Sequence, residues 1–369
     1  MSLDPAAAGR LGTVRVVGTG LVGASVALGL RACGTRVLLA DPSPTALALA
    51  RDLGAGEPDP GGVDVQVVVV ACPPDVTAAV VRAELAAHPF ATVTDVASVK
   101  SGPAQALTEG GADVSRYVGG HPMAGRERNG AVAARSDLFL GRPWVVCPTQ
   151  TSDPVRVDQV RGLALALGAT PVLMSPVDHD EAVALVSHLP QIAASLVAAR
   201  LRQVPDPLLA LAGQGLRDLT RIAGSDPTLW AQILSANAGP VTVVLRHLQQ
   251  DLDGLVAALE ALQDQDGGPG ALASVARLVA YGNAGRDRIP GKHGSAPTAY
   301  AVVTALLPDQ PGQLARLFQH IGDAGVNVEE FSLEHAPGQM LGLAEVSVLP
   351  AARQSLEAAL TERGWHVVG

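Results

Sequence analysis

The chain has 369 residues, 48% of them apolar, and a formal charge of −9 at pH 7. At roughly 100 to 200 residues per domain, this length predicts two or three domains, each able to bury a core. The acidic balance excludes a general nucleic-acid or anionic-membrane surface, because no basic stripe is present to neutralise phosphates, so an anionic substrate has to be held by a few local arginines.

The N-terminal MSLDPAAAGRLG has no basic segment followed by an apolar one, and no apolar stretch approaches the ~18 residues of a membrane span. The expectation is a soluble, cytoplasmic protein without membrane contact. From residue 13 to about 175, short β-branched runs at Val14–Val17, Val37–Ala40, Val67–Cys72, Thr92–Val96 and Tyr117–Gly119 alternate with Ala/Leu-rich helical stretches. That alternation predicts a mostly parallel sheet covered on both faces. Cys33, Cys72 and Cys147 are odd in number, far apart and lack ligand spacing, which fits a reducing compartment and no metal site.

The first strand runs directly into VVGTGLVGAS. Gly18, Gly20 and Gly23 there form GxGxxG between a strand and a helix. The first permits a tight turn, the second lets the backbone approach a pyrophosphate, and the third allows close helix packing, while the helix N-terminus offers N–H donors to phosphate. With Thr19, Leu21 and Val22 they make the expected dinucleotide loop. Asp41 ends the second strand eighteen residues past Gly23, where a carboxylate accepts both ribose hydroxyls and repels a 2′-phosphate, so NAD is expected over NADP. Capping of the next helix is the other reading of Asp41. Pro73, in VVVVACPPDVT, either walls the nicotinamide ribose or belongs to an ordinary strand-ending turn.

TDVASVKSG puts Ser98 and Lys100 at the carboxyl end of the next strand, the side on which open α/β sheets bind ligands. In VGGHPMAGRE, His121 ends the strand after that, so Ser98 and His121 can converge beside the cofactor, with a purely structural strand-end histidine as the alternative. Around 176 the texture becomes helical. Asp178 and Glu181 read as a capping box, Pro190 as a kink, and residues 176 to 280 contain no lysine. GQGLRDLTRIAGSDPTLW is polar for its surroundings and carries Arg217, Asp218, Thr220, Arg221 and Trp230. Residues 283–297 concentrate Gly, Pro and charge and read as a linker. The rest reads βαββαβ, a ferredoxin-like small domain. The expected division is a Rossmann-type α/β dinucleotide-binding domain at 1–176, an all-α domain at 177–282, the linker, and the small domain at 298–369.

Four separated strings in order, TDVASVK, GGHPMAG, HDEAVALVSHLPQ and GQGLRDLTRIAGSDPTLW, resemble the prephenate dehydrogenase family, which includes arogenate dehydrogenases of tyrosine biosynthesis. Residues 298–369, with PDQPGQL, resemble an ACT domain, an amino-acid-sensing module. The resemblance implies NAD-dependent oxidative decarboxylation of prephenate to 4-hydroxyphenylpyruvate, with arogenate to tyrosine as the alternative. It implies that His121 is catalytic and accepts a hydrogen bond from the ring hydroxyl, and that Ser98 orients that hydroxyl and the nicotinamide. Arg221 would pair with a substrate carboxylate, and Ser187 and Trp230 would line the site. Gln191 stands where many members have histidine, and Arg126 where several have a small or hydroxylated residue. Both are carried as substrate-binding candidates, Arg126 equally as a surface charge. His179 and Asp180 match the family's HD pair, with helix capping as the other explanation, and His188 reads as a core histidine. The resemblance further implies a homodimer through the helical domain, with Trp230 reaching the partner's site, and a tyrosine effector near Asp309, Gly312, Gln313 and Asn327.

The chemistry asks for these groups. A proton must leave the ring hydroxyl as hydride leaves the same carbon, and a neutral imidazole with an ordinary pKa near 6.5 suits that task. Arginine holds a carboxylate better than lysine, because its planar fork bonds both oxygens and stays charged. A β-hydroxyacid dehydrogenase would use a lysine in the helical region, which has none. A non-enzymatic amino-acid and redox sensor is the remaining alternative.

Overall fold

The computed structural model describes residues 3–125, 130–264, 268–290, 300–335 and 340–368. Within these ranges the chain forms two compact units, one of residues 1–193 with 224–245 and one of 194–223 with 246–369.

In the first unit, β1 (Val14–Val17), β2 (Val37–Ala40), β3 (Glu57–Pro58), β4 (Val67–Val70) and β5 (Thr92–Asp95) form a parallel sheet in the order β3-β2-β1-β4-β5. The order reverses at β1, the switch point at which such sheets bind ligands. β2 and β4 are apolar throughout, as expected of strands covered on both faces, while β1 carries Arg15 and β5 carries Thr92, Thr94 and Asp95. Val14, Val16, Val67 and Val69 pack with helices Leu21–Ala32 and Pro154–Ala166, while Val68 and Val70 pack with Pro74–Ala87 and Ser101–Glu109.

The parallel bridge Val93↔Tyr117 brings β6 (Val118–Pro122) beside β5. Two strands that the sequence reading did not anticipate follow. They are β7 (Pro143–Pro148), antiparallel to β6, and β8 (Thr170–Leu173), parallel to β7. Pro143, Pro148 and Pro171 break their β signal, and proline is tolerated at strand ends and sheet edges.

Helix Pro176–Val183 is capped by Ser175, whose Oγ accepts from the Asp178 N–H at 3.1 Å and donates to Asp178 Oδ2 at 2.7 Å. The cap thus lies three residues before the expected Asp178/Glu181 box, because Pro176 already fits the first turn. Ala184–His188 widens into a π-helical turn before the helix resumes as Leu189–Arg200. A wide turn accommodates Pro190, which lacks an N–H and crowds the preceding turn. The whole stretch Pro176–Gln203, 28 residues with a window of mean hydropathy 1.6, is long and apolar enough to cross a membrane by length and composition, contrary to expectation. Its buried His179, Asp180 and His188 are hydrogen-bonded inside the first unit, which is why the unit runs past residue 176.

In the second unit, β9 (Ala301–Pro308), β10 (Glu330–His335), β11 (Leu341–Val348) and β12 (Val367–Val368) form a sheet in the order β10-β11-β9-β12 with antiparallel neighbours. Helices Gln313–Asp323 and Arg353–Glu362 bury Leu317, Ile321, Leu356 and Leu360 against Val303, Ala344, Val346 and Val348. The chain order is βαββαβ. The expected linker begins inside helix Ala271–Arg286, and its residues 291–297 lie outside the described residues.

Candidate active site

The glycine loop leaves β1 with Gly18 at φ +95°, where an added Cβ would lie 2.3 Å from the Ala71 carbonyl oxygen, and at Gly23 a Cβ would lie 2.0 Å from the Gly18 oxygen. Neither position admits a side chain. Gly20, the N-cap of helix Leu21–Ala32, faces open space, with nothing within 4 Å of its Cβ position. Asp41 Oδ2 accepts the Thr19 N–H at 2.7 Å and the Thr19 hydroxyl at 2.8 Å, and Oδ1 accepts the Ser43 N–H at 2.8 Å. Ser43 caps helix Pro44–Asp52, so the capping reading of Asp41 is corrected. Its carboxylate ties down the loop and keeps acceptor capacity for a ribose. Leu21 and Val22 are half-buried at the helix start, and Pro73 is exposed at the N-cap of helix Pro74–Ala87. These residues fit a dinucleotide.

His121 owes its place to register and to two glycines. Tyr117 is level with Val93, so His121 is level with residue 97, in the loop that carries half-buried Ser98. A Cβ on Gly120 would lie 2.7 Å from the Asp95 carbonyl oxygen and 3.0 Å from Trp144 Nε1, and one on Gly119 would lie 3.0 Å from Lys100 Cδ. The glycines make room for a buried polar network that the sequence reading did not anticipate. The Lys100 ammonium pairs with Asp95 Oδ1, the Tyr117 hydroxyl donates to Oδ2 at 2.7 Å, and the Ala97 N–H donates to Oδ1 at 2.8 Å. Burial, and then the Asp95 charge, push the Tyr117 phenol well above its ordinary value.

A chain of hydrogen bonds ends at His121. Its Nδ1 lies 2.8 Å from His179 Nε2, and His179 Nδ1 lies 2.7 Å from Asp180 Oδ1. Asp180 also accepts the N–H groups of Lys100 and Ser101, each at 2.8 Å, and so caps helix Ser101–Glu109 from another element. Burial alone would raise its carboxyl, but the His179 bond and these backbone donors hold it below the ordinary value. Burial first, then the electrostatic influence of His179, Lys100 and His188, hold His121 well below the ordinary imidazole value, with Asp180 opposing. The HD pair is therefore buried against His121 and has no part in capping its own helix. The sequence signal for it is the recurrence of polar residues at 179/180, 187/188 and 191 within an apolar-rich helical stretch.

His188 is 1% exposed and its Nδ1 receives the Asn237 amide at 3.1 Å, while the same amide donates to the Asp180 carbonyl at 2.8 Å. Trp230 packs edge-on against His188 of its own chain, ring centroids 5.9 Å apart. Gln191 is buried, with Oε1 accepting from the Ser225 hydroxyl at 3.3 Å, and Ser187 is half-buried in the π turn. Arg221 ends helix Gln214–Arg221 in the second unit and is exposed. Arg126 lies outside the described residues. Among the effector candidates, Asp309 and Gly312 are exposed past the end of β9, next to Gln313. Asn327, whose amide donates to Glu329 at 2.8 Å, precedes β10. Glu330 pairs with Ser347 and Ser347 with Val302, so Asn327 sits at the start of β9, about 20 Å of strand from Asp309. Within one chain these four residues do not form one site, because β10 runs parallel to β9.

Residues 26–173 match a family model described as prephenate dehydrogenase, nucleotide-binding domain, and residues 175–271 match prephenate dehydrogenase, dimerization domain. The chain is 36% identical to a probable prephenate dehydrogenase, NovF, of Streptomyces niveus over 96% of its own length and 98% of that protein's. It is 26% identical to the prephenate dehydrogenase of Bacillus subtilis over 91% of each. The crystal structure of prephenate dehydrogenase from A. aeolicus, in complex with hydroxyphenyl propionate and NAD+, aligns with TM-score 0.65 and 28% identity over 75% of this chain and 98% of that one. Synechocystis arogenate dehydrogenase aligns with TM-score 0.61 and 29% identity over 75% and 99%.

Proposed function

The chain belongs to the prephenate dehydrogenase family, and from that premise we propose that it carries out NAD-dependent oxidative decarboxylation of prephenate to 4-hydroxyphenylpyruvate. Bound NAD+ supplies the hydride acceptor. The observation that carries the reading is His121, an imidazole at the carboxyl end of the sheet, held uncharged and bonded through Nδ1, so that Nε2 can accept the ring-hydroxyl proton. Ser98, in the adjoining loop, orients the same hydroxyl. Once the hydroxyl carbon is a carbonyl, the ring carboxylate leaves as carbon dioxide because its electrons complete an aromatic ring. Arg221 is assigned the substrate carboxylate, Ser187 and Trp230 the lining of the site, and Gln191 a substrate contact. Gly18, Thr19, Gly20, Leu21, Val22, Gly23, Asp41 and Pro73 are assigned the dinucleotide, with Asp41 selecting NAD over NADP.

Assays of NADH formation with prephenate, with arogenate and with a simple hydroxy acid test the reading. Rapid turnover of prephenate alone supports it, and turnover of the hydroxy acid alone overturns it. Arogenate is the second reading, favoured by the likeness to Synechocystis arogenate dehydrogenase. The two substrates differ in a carbonyl against an ammonium beside the side-chain carboxylate, a difference that Gln191 is suited to read. The assembly proposed is a homodimer, supported by the matched dimerization domain and by large apolar side chains left open in it, such as Leu211 at 83% exposed and Val186 at 63%. The location proposed is the cytoplasm, and the C-terminal βαββαβ unit is proposed as an ACT domain that binds tyrosine across two copies.

A further inference from the structure

With one ring proton on each of His121 and His179, the contacts of the His121 chain allow a single arrangement of donors and acceptors. The Asp180 carboxylate only accepts, and it already takes two backbone N–H bonds at the start of helix Ser101–Glu109, a position that favours the anion. The group facing it, His179 Nδ1 at 2.7 Å, must therefore be the protonated nitrogen. If His179 holds only that one ring proton, its Nε2 is bare and can only accept, and its neighbour at 2.8 Å is His121 Nδ1. His121 must carry its proton on Nδ1 and its lone pair on Nε2. His179 is fully buried and Asp180 nearly so, so water does not compete for these bonds. Helix Pro176–Val183 places both residues, and Ser175 alone caps that helix.

We infer that His179 and Asp180 are positioning residues for the oxidation, fixing His121 as the tautomer whose Nε2 can take the substrate proton. The inference rests on the proposed role of His121. In the step, the hydroxyl O–H bond breaks and its proton moves to His121 Nε2. The hydride leaves the same carbon for NAD+, and the electron pair of the O–H bond becomes the second bond of the new carbonyl. The imidazolium so formed keeps its Nδ1–H bond to His179, and the Asp180 charge behind it offsets the new positive charge. A histidine with the opposite tautomer would present an N–H to the hydroxyl and could not accept.

The test uses the full-length enzyme with prephenate and NAD+, with ¹⁵N-histidine NMR as a readout besides rate. In the wild type, His121 Nε2 is expected to resonate as an unprotonated nitrogen. His179→Leu removes the acceptor, and kcat is expected to fall about 10²- to 10⁴-fold with KM changed less than about threefold. His179→Gln offers Oε1 to the Nδ1–H, and is expected to keep the wild-type tautomer and kcat within about tenfold. A wild-type spectrum with the proton on Nε2 overturns the inference without any variant. So does wild-type kcat in a folded His179→Leu enzyme, or equal losses in the Gln and Leu variants. His121→Asn separates the two claims. If it abolishes turnover while His179→Leu is fully active, the positioning role alone fails; if it leaves turnover intact, the assignment of His121 itself fails.

Discussion

At the scale of single residues, the account turns on an imidazole kept uncharged. Burial leads in holding His121 below its ordinary value, with His179, Lys100 and His188 adding to it and Asp180 opposing. The acid limb of kcat/KM is therefore expected below the ordinary histidine value near 6.5, with activity lost only as pH falls through the lowered pKa. A limb above that value would contradict it. The same shift bears on stability. His121 and His188 both favour the neutral form in the folded state, so the unfolded chain binds more protons below about pH 6.5, and stability should decline as pH falls from there. Thermal midpoints across that range check the sign. At the cofactor loop, Asp41→Ala frees Thr19 and removes the ribose acceptor, and a rise of about tenfold or more in the KM for NAD+ with little change in kcat is expected. The placement of His121, Gly18 and Asp41 was legible from the sequence because each position is set by a local pattern at the end of its own strand. Asp95, Tyr117 and Asn237 were not, because their roles exist only where distant segments meet, at 22 residues' separation for the Tyr117–Asp95 bond and 57 for the Asn237–Asp180 bond.

At the scale of elements, β6 is built to carry a histidine past a buried ion pair. Gly120→Ala sets a methyl 2.7 Å from the Asp95 carbonyl oxygen, and a loss of about 1–3 kcal/mol is expected from denaturant unfolding. Lys100→Met leaves Asp95 uncompensated at a site where the two side chains are 1% and 0% exposed, for an expected cost of about 3–5 kcal/mol. Unchanged stability in either variant would contradict the packing described. The parallel strands β1, β4 and β5 were readable because each is rich in β-branched residues, and β2 because Val37, Leu38 and Leu39 form a short buried apolar run. β7 and β8 escaped because prolines stand at both ends of β7 and at the second residue of β8, and because β8 is largely exposed. The Ser175 cap and the π turn at Ala184–His188 were missed for another reason. Asp178 followed by Glu181 imitates a capping box, and Pro190 signals a kink that the wide turn absorbs.

At the scale of the molecule, the sequence conveyed two families of pattern, α/β alternation and then helices, but not where compact units end. Helix Pro176–Gln203 begins within the first compact unit, whereas the matched family domains divide between residues 173 and 175. If the C-terminal βαββαβ unit senses tyrosine, a chain truncated before residue 298 should keep NADH formation and lose tyrosine inhibition. A retained response would move the effector to the active site. Arg221→Ala should raise the KM for prephenate by about 10²-fold, the loss of a charge-assisted pair, with a smaller effect on kcat. The most direct measurement is the steady-state rate of NADH formation from prephenate by the wild type and by His121→Asn at equal folded concentration. Ready turnover by the wild type and a kcat about 10²- to 10⁴-fold lower in the variant are expected, whereas equal rates, or a wild type inert towards both prephenate and arogenate, would overturn the proposed role of His121.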